Sequence, residues 1–582
     1  MNNKYHIIQT DVLVIGSGLA GSMAAVSCLN NEQNVTVVNK GKMCWSGSTA
    51  VCGGNDIAVC FPDDDKTEWI EAFIKSSDYT ADQRWIEIFL NESYVELCKL
   101  EELGKKHNIE IFPKKQDGSF WRIKRYINPF ETVICNIHNA LNVFSKELKE
   151  SAAELYERVM VTKLLKHEDK IVGAIGFNYR TGEIYLFQAK AVILASGCCT
   201  YKADVFDVCG EGFAMAYEIG AKMMSFDRGG AIMRPKDVMR GGLLCSSSSS
   251  SMANAMGSKL RNCNGIDIEE CMTLEEKKLG RAGLNKAIQR ELEMGNGPVY
   301  EDFINIPEEI KKVLYKLRLA AVKRVKIEYG KDVFSEIIPM EFIEQTITPD
   351  QSNRMGGIWI DEKGQTSIKG LFAIGDVSCP KISFQHPYNG SDLGWALLSG
   401  GRVGNIVIDY CRKNEHVASS HETQEHFYNI LQNVDSKIKE IFNKENGIHP
   451  DEVKAKIIQT MIPYDVNHKN EESLEKCLGK IKEIEEKYLP LMNAKTLHDL
   501  RKYIEAKSMV KTAEMIVASE LYRKESRVGV RRTDYPFMDN VNWKKWVGFY
   551  NENGNMNFFT ENINETLSVI PNNVTEPFVE RI

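Results

Sequence analysis

The chain has 582 residues, 43% hydrophobic and 26% charged, with 73 basic against 80 acidic side chains for a formal charge of −7. A length of this order suggests about three or four structural units, and the mixture excludes a disordered or fibrous chain. Scattered basic residues and a negative balance lack the footprint of a nucleic-acid binder, so nucleic acid is not an expected partner.

The first element is an uncharged stretch from Val12 to Leu29, eighteen residues, long enough to imitate a membrane span. Three glycines and three serines interrupt it. Val12 to Ser17 reads as a buried strand and the remainder as a helix of small residues. No basic segment precedes it, which argues against a secretory signal. The expectation is a cytoplasmic protein with no transmembrane segment, whose fold begins almost at residue 1.

At the strand–helix junction lies Gly16-Ser17-Gly18-Leu19-Ala20-Gly21. The first glycine permits a tight turn, the second lets the backbone approach a pyrophosphate, and the third lets the helix pack on the sheet. A second strand follows, Val35 to Val38. The residue that closes it, where a carboxylate normally meets the adenosine ribose, is Asn39, followed by Lys40. An amide can still accept from and donate to a ribose hydroxyl, so this departure favours FAD over a nicotinamide cofactor. Two later runs read as further buried strands of one FAD domain: Lys190 to Gly197, ending in Ala195-Ser196-Gly197, and Gly370 to Asp376, ending in Gly375-Asp376.

Between them, Cys245 precedes six serines, Ser246 to Ser251, a composition suited to a surface loop or to a lid over the flavin. Beyond residue 416, Lys, Glu, Ile and Leu recur at helical spacing, as in Glu475 to Tyr488, which predicts a helical bundle with a short irregular tail. The fifteen cysteines contain no CxxC, only the adjacent pair Cys198-Cys199. They read as free thiols in a reducing compartment, and any iron–sulfur cluster the protein uses must sit on another chain.

These motifs, with Ser46-Gly-Ser-Thr-Ala-Val-Cys-Gly-Gly54, Gly210-Glu-Gly212, Met355-Gly-Gly-Ile358, Ser399-Gly-Gly-Arg402, Arg523 to Gly529, Asp534-Tyr-Pro536 and Asn542-Trp543, resemble the flavoprotein subunits of succinate dehydrogenase, fumarate reductase and adenylylsulfate reductase, and the related aspartate oxidases. The resemblance runs from residue 11 to about residue 546. It implies an α/β fold: a Rossmann-like FAD-binding domain (1–228 and 346–415) interrupted by a smaller α+β capping domain (229–345), then a C-terminal helical domain and tail (416–582).

Residue roles follow from the same resemblance. Gly16, Ser17, Gly18, Leu19, Ala20 and Gly21 would hold the pyrophosphate, with Asn39 and Lys40 near the adenosine. Ser46, Gly47, Ser48, Thr49, Gly53 and Gly54 would line the isoalloxazine, and Asp376 would bind the ribityl chain. Ala195, Ser196, Gly197, Glu211, Gly375, Ser391 and Leu393 complete the candidate cofactor set. In the dicarboxylate enzymes a histidine near the position of Gly47 often bonds covalently to the flavin. No histidine lies between His6 and His107, so FAD should be held non-covalently.

For the chemistry, Leu279 to Ile288 resembles the stretch that carries the arginine proton shuttle of fumarate reductases, which makes Arg281 the candidate proton donor. His386 lies in a loop that resembles the family's histidine-containing loop beside the flavin, with Tyr388 two residues on. The dicarboxylate enzymes place histidines at the positions of Ile232 and Ser352, and an arginine near Tyr388 or Asn389. A carboxylate clamp needs such cations, so succinate and fumarate are disfavoured as substrates. Arg228, Arg234 and Arg354 could form a different anion clamp.

The expected function is an FAD-dependent oxidoreductase acting on a small anionic organic substrate, of the activated C=C reductase type. Its electrons would come from an external donor such as a ferredoxin-like or iron–sulfur subunit. Three alternatives stay open: an adenylylsulfate-reductase-like flavoprotein acting on a sulfur compound, suggested by Arg234 to Gly242 with Asn254 to Gly257; an electron-transfer subunit without a small substrate; and an oxidase. Self-association is also left open.

Overall fold

The computed structural model describes residues 5–29, 33–52, 56–124, 130–201, 208–227, 231–232, 257–278, 287–288, 290–317, 322–323, 326–327, 330–340, 348–349, 356–382, 390–416, 421–461, 469–528, 530–563 and 575–577. Its main sheet has seven strands: β1 (Tyr5–Ile15), β2 (Val35–Asn39), β3 (Glu154–Glu157), β4 (Val159–His167), β5 (Lys170–Asn178), β6 (Ile184–Leu194) and β7 (Leu371–Ala373). Five of them, in the order β3-β2-β1-β6-β7, are parallel. Parallel strands are covered on both faces, which is why Val12 to Ile15 and Ala191 to Leu194 are apolar without alternation and buried throughout. β4 and β5 extend the sheet as an antiparallel pair beside β6.

Helix α1 (Leu19–Leu29) follows β1 and is buried from Leu19 to Cys28. A helix this uniformly small and apolar needs cover on all sides. The sheet and a long later helix, α6 (Ser391–Arg412), supply it. Two glycines of α6 set the distance: a Cβ on Gly400 would lie 2.4 Å from Ala20 O, and one on Gly404 2.7 Å from Ala24 O. The motif at Ser399 to Arg402 is therefore in part a helix–helix contact at backbone distance. The helices between them include α2 (Ser48–Cys52), α3 (Gln83–Lys106), α4 (Ile137–Glu150) and α5 (Glu211–Glu218).

In the region of the expected cap, Lys259–Arg261, Val299–Asp302 and Ile338–Met340 form a three-stranded antiparallel sheet. Leu260, Ile268, Met272, Ala287, Ile288 and Val299 make its small core. The C-terminal part carries α7 (His421–Asn443), α8 (Pro450–Met461), α9 (Glu471–Glu483) and α10 (Leu497–Tyr522). The last two open with side-chain caps, from Asn470 and Thr496.

The expected irregular tail is corrected. After α10 the chain forms a hairpin of β8 (Lys545–Glu552) and β9 (Asn555–Asn562). Its turn is Asn553-Gly554, with φ of +54° and +88°, the two left-handed positions that a two-residue hairpin turn requires. β8 joins Met223–Met224, Gly357–Trp359 and Ser378–Cys379 in a second sheet. The tail thus closes back on the amino-terminal region. Among the described residues, no helix is long and apolar enough to cross a membrane.

Candidate active site

The turn between β1 and α1 shows what each glycine is for. Gly16 has φ of +107°, and a Cβ there would lie 2.3 Å from Ala195 O. A Cβ on Gly21 would lie 2.0 Å from Gly16 O. Both are required by the protein's own packing. Gly18 differs: among the described residues, the one atom within 4 Å of its Cβ position is Thr49 Oγ1, at 3.4 Å. The space in front of Gly18 is left for a ligand, at the amino terminus of α1, where backbone N–H groups favour an anion.

A cavity occupies that space. The structure brings together on its wall Gly16 to Ala20 from the turn, Asn39 and Lys40 from the end of β2, and Ser46 to Thr49 from the loop into α2. Ala195 to Gly197 come from the end of β6, Glu211 from α5, and Gly375 and Asp376 from the end of β7. Gly21 is not on the wall, because it packs α1 against the strand end. Nor are Ser391 and Leu393, in the first turn of α6, where Ser391 is fully buried and Leu393 packs on the core. Gly53, Gly54, Arg281, His386 and Tyr388 lie outside the described residues, as do Arg228, Arg234, Arg354 and Ser246 to Ser251.

Sequence reading missed Val159 to Val161 of β4, Val208, Met215 of α5 and Ala396 of α6 on the wall. The β4–β5 pairing shifts between Val161 and Lys163, so the strand is irregular where it meets the cavity. A strand edge carries no side-chain motif to read.

Asn39 makes contacts within the protein that its place at the end of β2 does not foretell. Its Oδ1 accepts from the Ser17 amide at 3.2 Å, and its Nδ2 donates to Lys42 O at 2.9 Å and to Ser46 Oγ at 2.8 Å. The amide ties the glycine turn to the Ser46 loop. On the far side of that loop, His138 Nε2 lies 2.9 Å from Ala50 O and its ring stacks on Trp45, so α2 is held from outside the cavity.

Lys40 is held by two carboxylates, Glu211 Oε1 at 2.6 Å and Glu505 Oε1 at 3.2 Å. Glu505, on α10, is buried, and also receives Lys454 at 2.9 Å and Arg501 at 3.0 Å. Burial pushes its carboxyl up, but Lys40, Lys454 and Arg501 outweigh burial and hold it down to about 2. The neighbouring Cys209 thiol is pushed far up by burial and stays protonated. Donor atoms of Cys209, Glu211 and Glu505 lie within 4.8 Å of one another, but ammonium groups already occupy the carboxylates. The arrangement is an ion-pair network.

The Gly-Glu-Gly motif is explained by crowding. A Cβ on Gly210 would lie 2.4 Å from Thr512 Oγ1 of α10, and one on Gly212 2.0 Å from Ser196 Oγ. At the end of β7, Ser399 Oγ accepts from the Gly375 amide at 3.0 Å, and Trp395 Nε1 donates to Gly375 O at 3.2 Å. Both hold Asp376 at the wall.

The wall fits FAD. The unfilled space at Gly18 and the helix terminus suit a pyrophosphate. Ser196 Oγ, buried with no hydrogen-bond partner among the described residues, can meet a ligand's polar atom. Among the described wall residues there is no histidine.

Comparison with known proteins agrees. Residues 11–393 match the model of an FAD binding domain, and residues 455–574 that of the fumarate reductase flavoprotein C-terminal domain. An uncharacterized FAD-dependent oxidoreductase of Methanocaldococcus jannaschii is 27% identical over 547 residues, covering 91% of this chain and 94% of its own. One subunit of the CoM/CoB fumarate reductase of Methanothermobacter marburgensis is 26% identical over 563 residues, covering 93% and 97%. The fold is that of E. coli quinol fumarate reductase, with a TM-score of 0.79 at 19% identity and coverage of 97% and 98%. The chain therefore belongs to the FAD-binding flavoprotein family of fumarate reductase and succinate dehydrogenase, and it is an FAD-dependent oxidoreductase.

Proposed function

We propose that the protein reduces an activated carbon–carbon double bond in a small anionic substrate other than fumarate, with FAD held non-covalently. The observation that carries the cofactor part is the cavity wall, which has no histidine among its described residues, in keeping with a sequence that has none around Gly47 and Ser48, the segment where the resemblance implies the flavin-linking one. Bound FAD supplies hydride to one carbon of the double bond. The chain's own task is to orient the substrate, exclude water and deliver a proton to the other carbon. Arg281 and His386 are proposed to handle protons, with substrate orientation the alternative role for His386, and Tyr388 completes the proposed catalytic set. Support for the substrate class is the sequence: the Arg281 segment is kept, while the clamp histidines are replaced by Ile232 and Ser352.

Electrons would arrive from an external donor of ferredoxin-like or iron–sulfur type in the cytoplasm, since the chain has no CxxC. The test is stopped-flow reoxidation of the reduced flavin with a panel of enoates and oxidised sulfur compounds. An enoate is expected to accelerate reoxidation. Acceleration by a sulfur compound alone selects the sulfur reading, and acceleration by none selects an electron relay. Arg281→Lys should keep FAD and lose turnover by about 100-fold or more; unchanged turnover removes Arg281 from the mechanism.

A further inference from the structure

Lys40 lies on the cavity wall next to Asn39, yet the groups that hold it come from elsewhere in the chain. Glu211 is near by, on the same wall. Glu505 is 465 residues away in sequence, on α10 of the C-terminal domain, and its side chain is 1% exposed. A lysine side chain is a flexible four-carbon stem ending in a compact charge, so its position depends on the carboxylates around it. Here they act from two directions. Glu505 also takes the charges of Lys454 and Arg501 through its two oxygens. Without its negative charge, three partly buried cations would face one another, with Glu211 still paired to Lys40. Lys40 is the one that borders the cavity, so it would be the one displaced toward it.

We propose that Glu505 is a positioning residue for the adenosine end of the cofactor, acting through Lys40, so that the helical domain takes part in holding FAD. The proposal rests on the reading that places the adenosine beside Lys40. Glu505 itself does not line the cavity, and its whole influence on the ligand runs through the ammonium it fixes.

The test is a double-mutant cycle in the affinity of the apoprotein for FAD, read by quenching of flavin fluorescence, with FMN as a ligand that lacks the adenosine. Glu505→Gln is expected to weaken FAD about tenfold, the size of one charge-assisted hydrogen bond, and to leave FMN unchanged. Lys40→Met should weaken FAD comparably, and the double variant should bind FAD no worse than Lys40→Met alone. If Glu505→Gln does not fold, the comparison of Lys40→Met with the double variant, which removes one charge of each sign, carries the test alone. Unchanged FAD affinity in Glu505→Gln, an equal loss of FMN, or a further loss in the double variant overturns the proposal. If Lys40→Met itself leaves FAD affinity unchanged, the adenosine is not beside Lys40, and the underlying reading fails instead.

Discussion

At the scale of single residues, the glycines of the first turn separate two demands that a motif alone merges. Gly21→Ala forces a Cβ to within 2.0 Å of Gly16 O, so the variant should be destabilised even without cofactor. Gly18→Ala meets only Thr49 Oγ1, at 3.4 Å, among the described residues. Its apoprotein should unfold within about 1 kcal/mol of wild type, while FAD affinity falls at least about tenfold as backbone and pyrophosphate are held apart. Urea unfolding of the two apoproteins and flavin titration check both outcomes. Glu505 gives a pH prediction. Its carboxyl is near 2 when folded against an ordinary 4.5. The stabilisation is therefore fully present above about pH 4.5 and is lost as pH falls toward 2. Wild type should lose on the order of 2 kcal/mol over that range that Glu505→Gln does not lose, measured by urea unfolding at stepped pH.

At the scale of elements, the second sheet and the segment before it are joined by buried charge. Arg527 pairs with Glu525 at 2.7 and 2.9 Å, donates to Asn540 Oδ1 at 2.9 Å, and reaches Asp78 O at 2.6 Å. Arg523 pairs with both Asp227 and Glu525. Removing one partner leaves uncompensated charge where no water can relieve it, so Arg527→Ala should cost about 3–5 kcal/mol, seen as a lowered melting temperature. The hairpin that leads out of this network shows how far the sequence was legible. Asn553-Gly554 is a strong turn signal, but the helical spacing of the preceding residues dominated the reading of the tail. Gly16 to Gly21 was legible because its glycines stand at a fixed spacing between a strand and a helix, even though the contact that demands Gly16, with Ala195 O, is distant in sequence. Val159 to Val161 was not, since a strand edge bears no signature, and Glu505 was not, since only the tertiary fold brings it to Lys40. Asn39 lines the wall, but its hydrogen bonds go to Ser17, Lys42 and Ser46, which no spacing rule foretells.

At the scale of the whole molecule, the cavity is a junction. Its wall draws on the ends of β1, β2, β6 and β7, and Lys40 on that wall is tied to α10. A ligand bound at such a junction stabilises everything that must assemble to make it. FAD at 100 times its dissociation constant should raise the unfolding free energy by about 2.7 kcal/mol. In scanning calorimetry the amino-terminal and helical parts should shift together, and separate transitions would show that the Lys40–Glu505 pair does not couple them. The same junction bears on how the protein is made. Synthesis delivers the glycine turn first, but Gly375 and Asp376 only some 360 residues later, and Glu505 later still. A ribosome-bound chain stalled before Asp376 has emerged should therefore retain no flavin, which nascent-chain fluorescence can read. Loading of the cofactor is then a late event, and it reports that the far end of the polypeptide has reached its place.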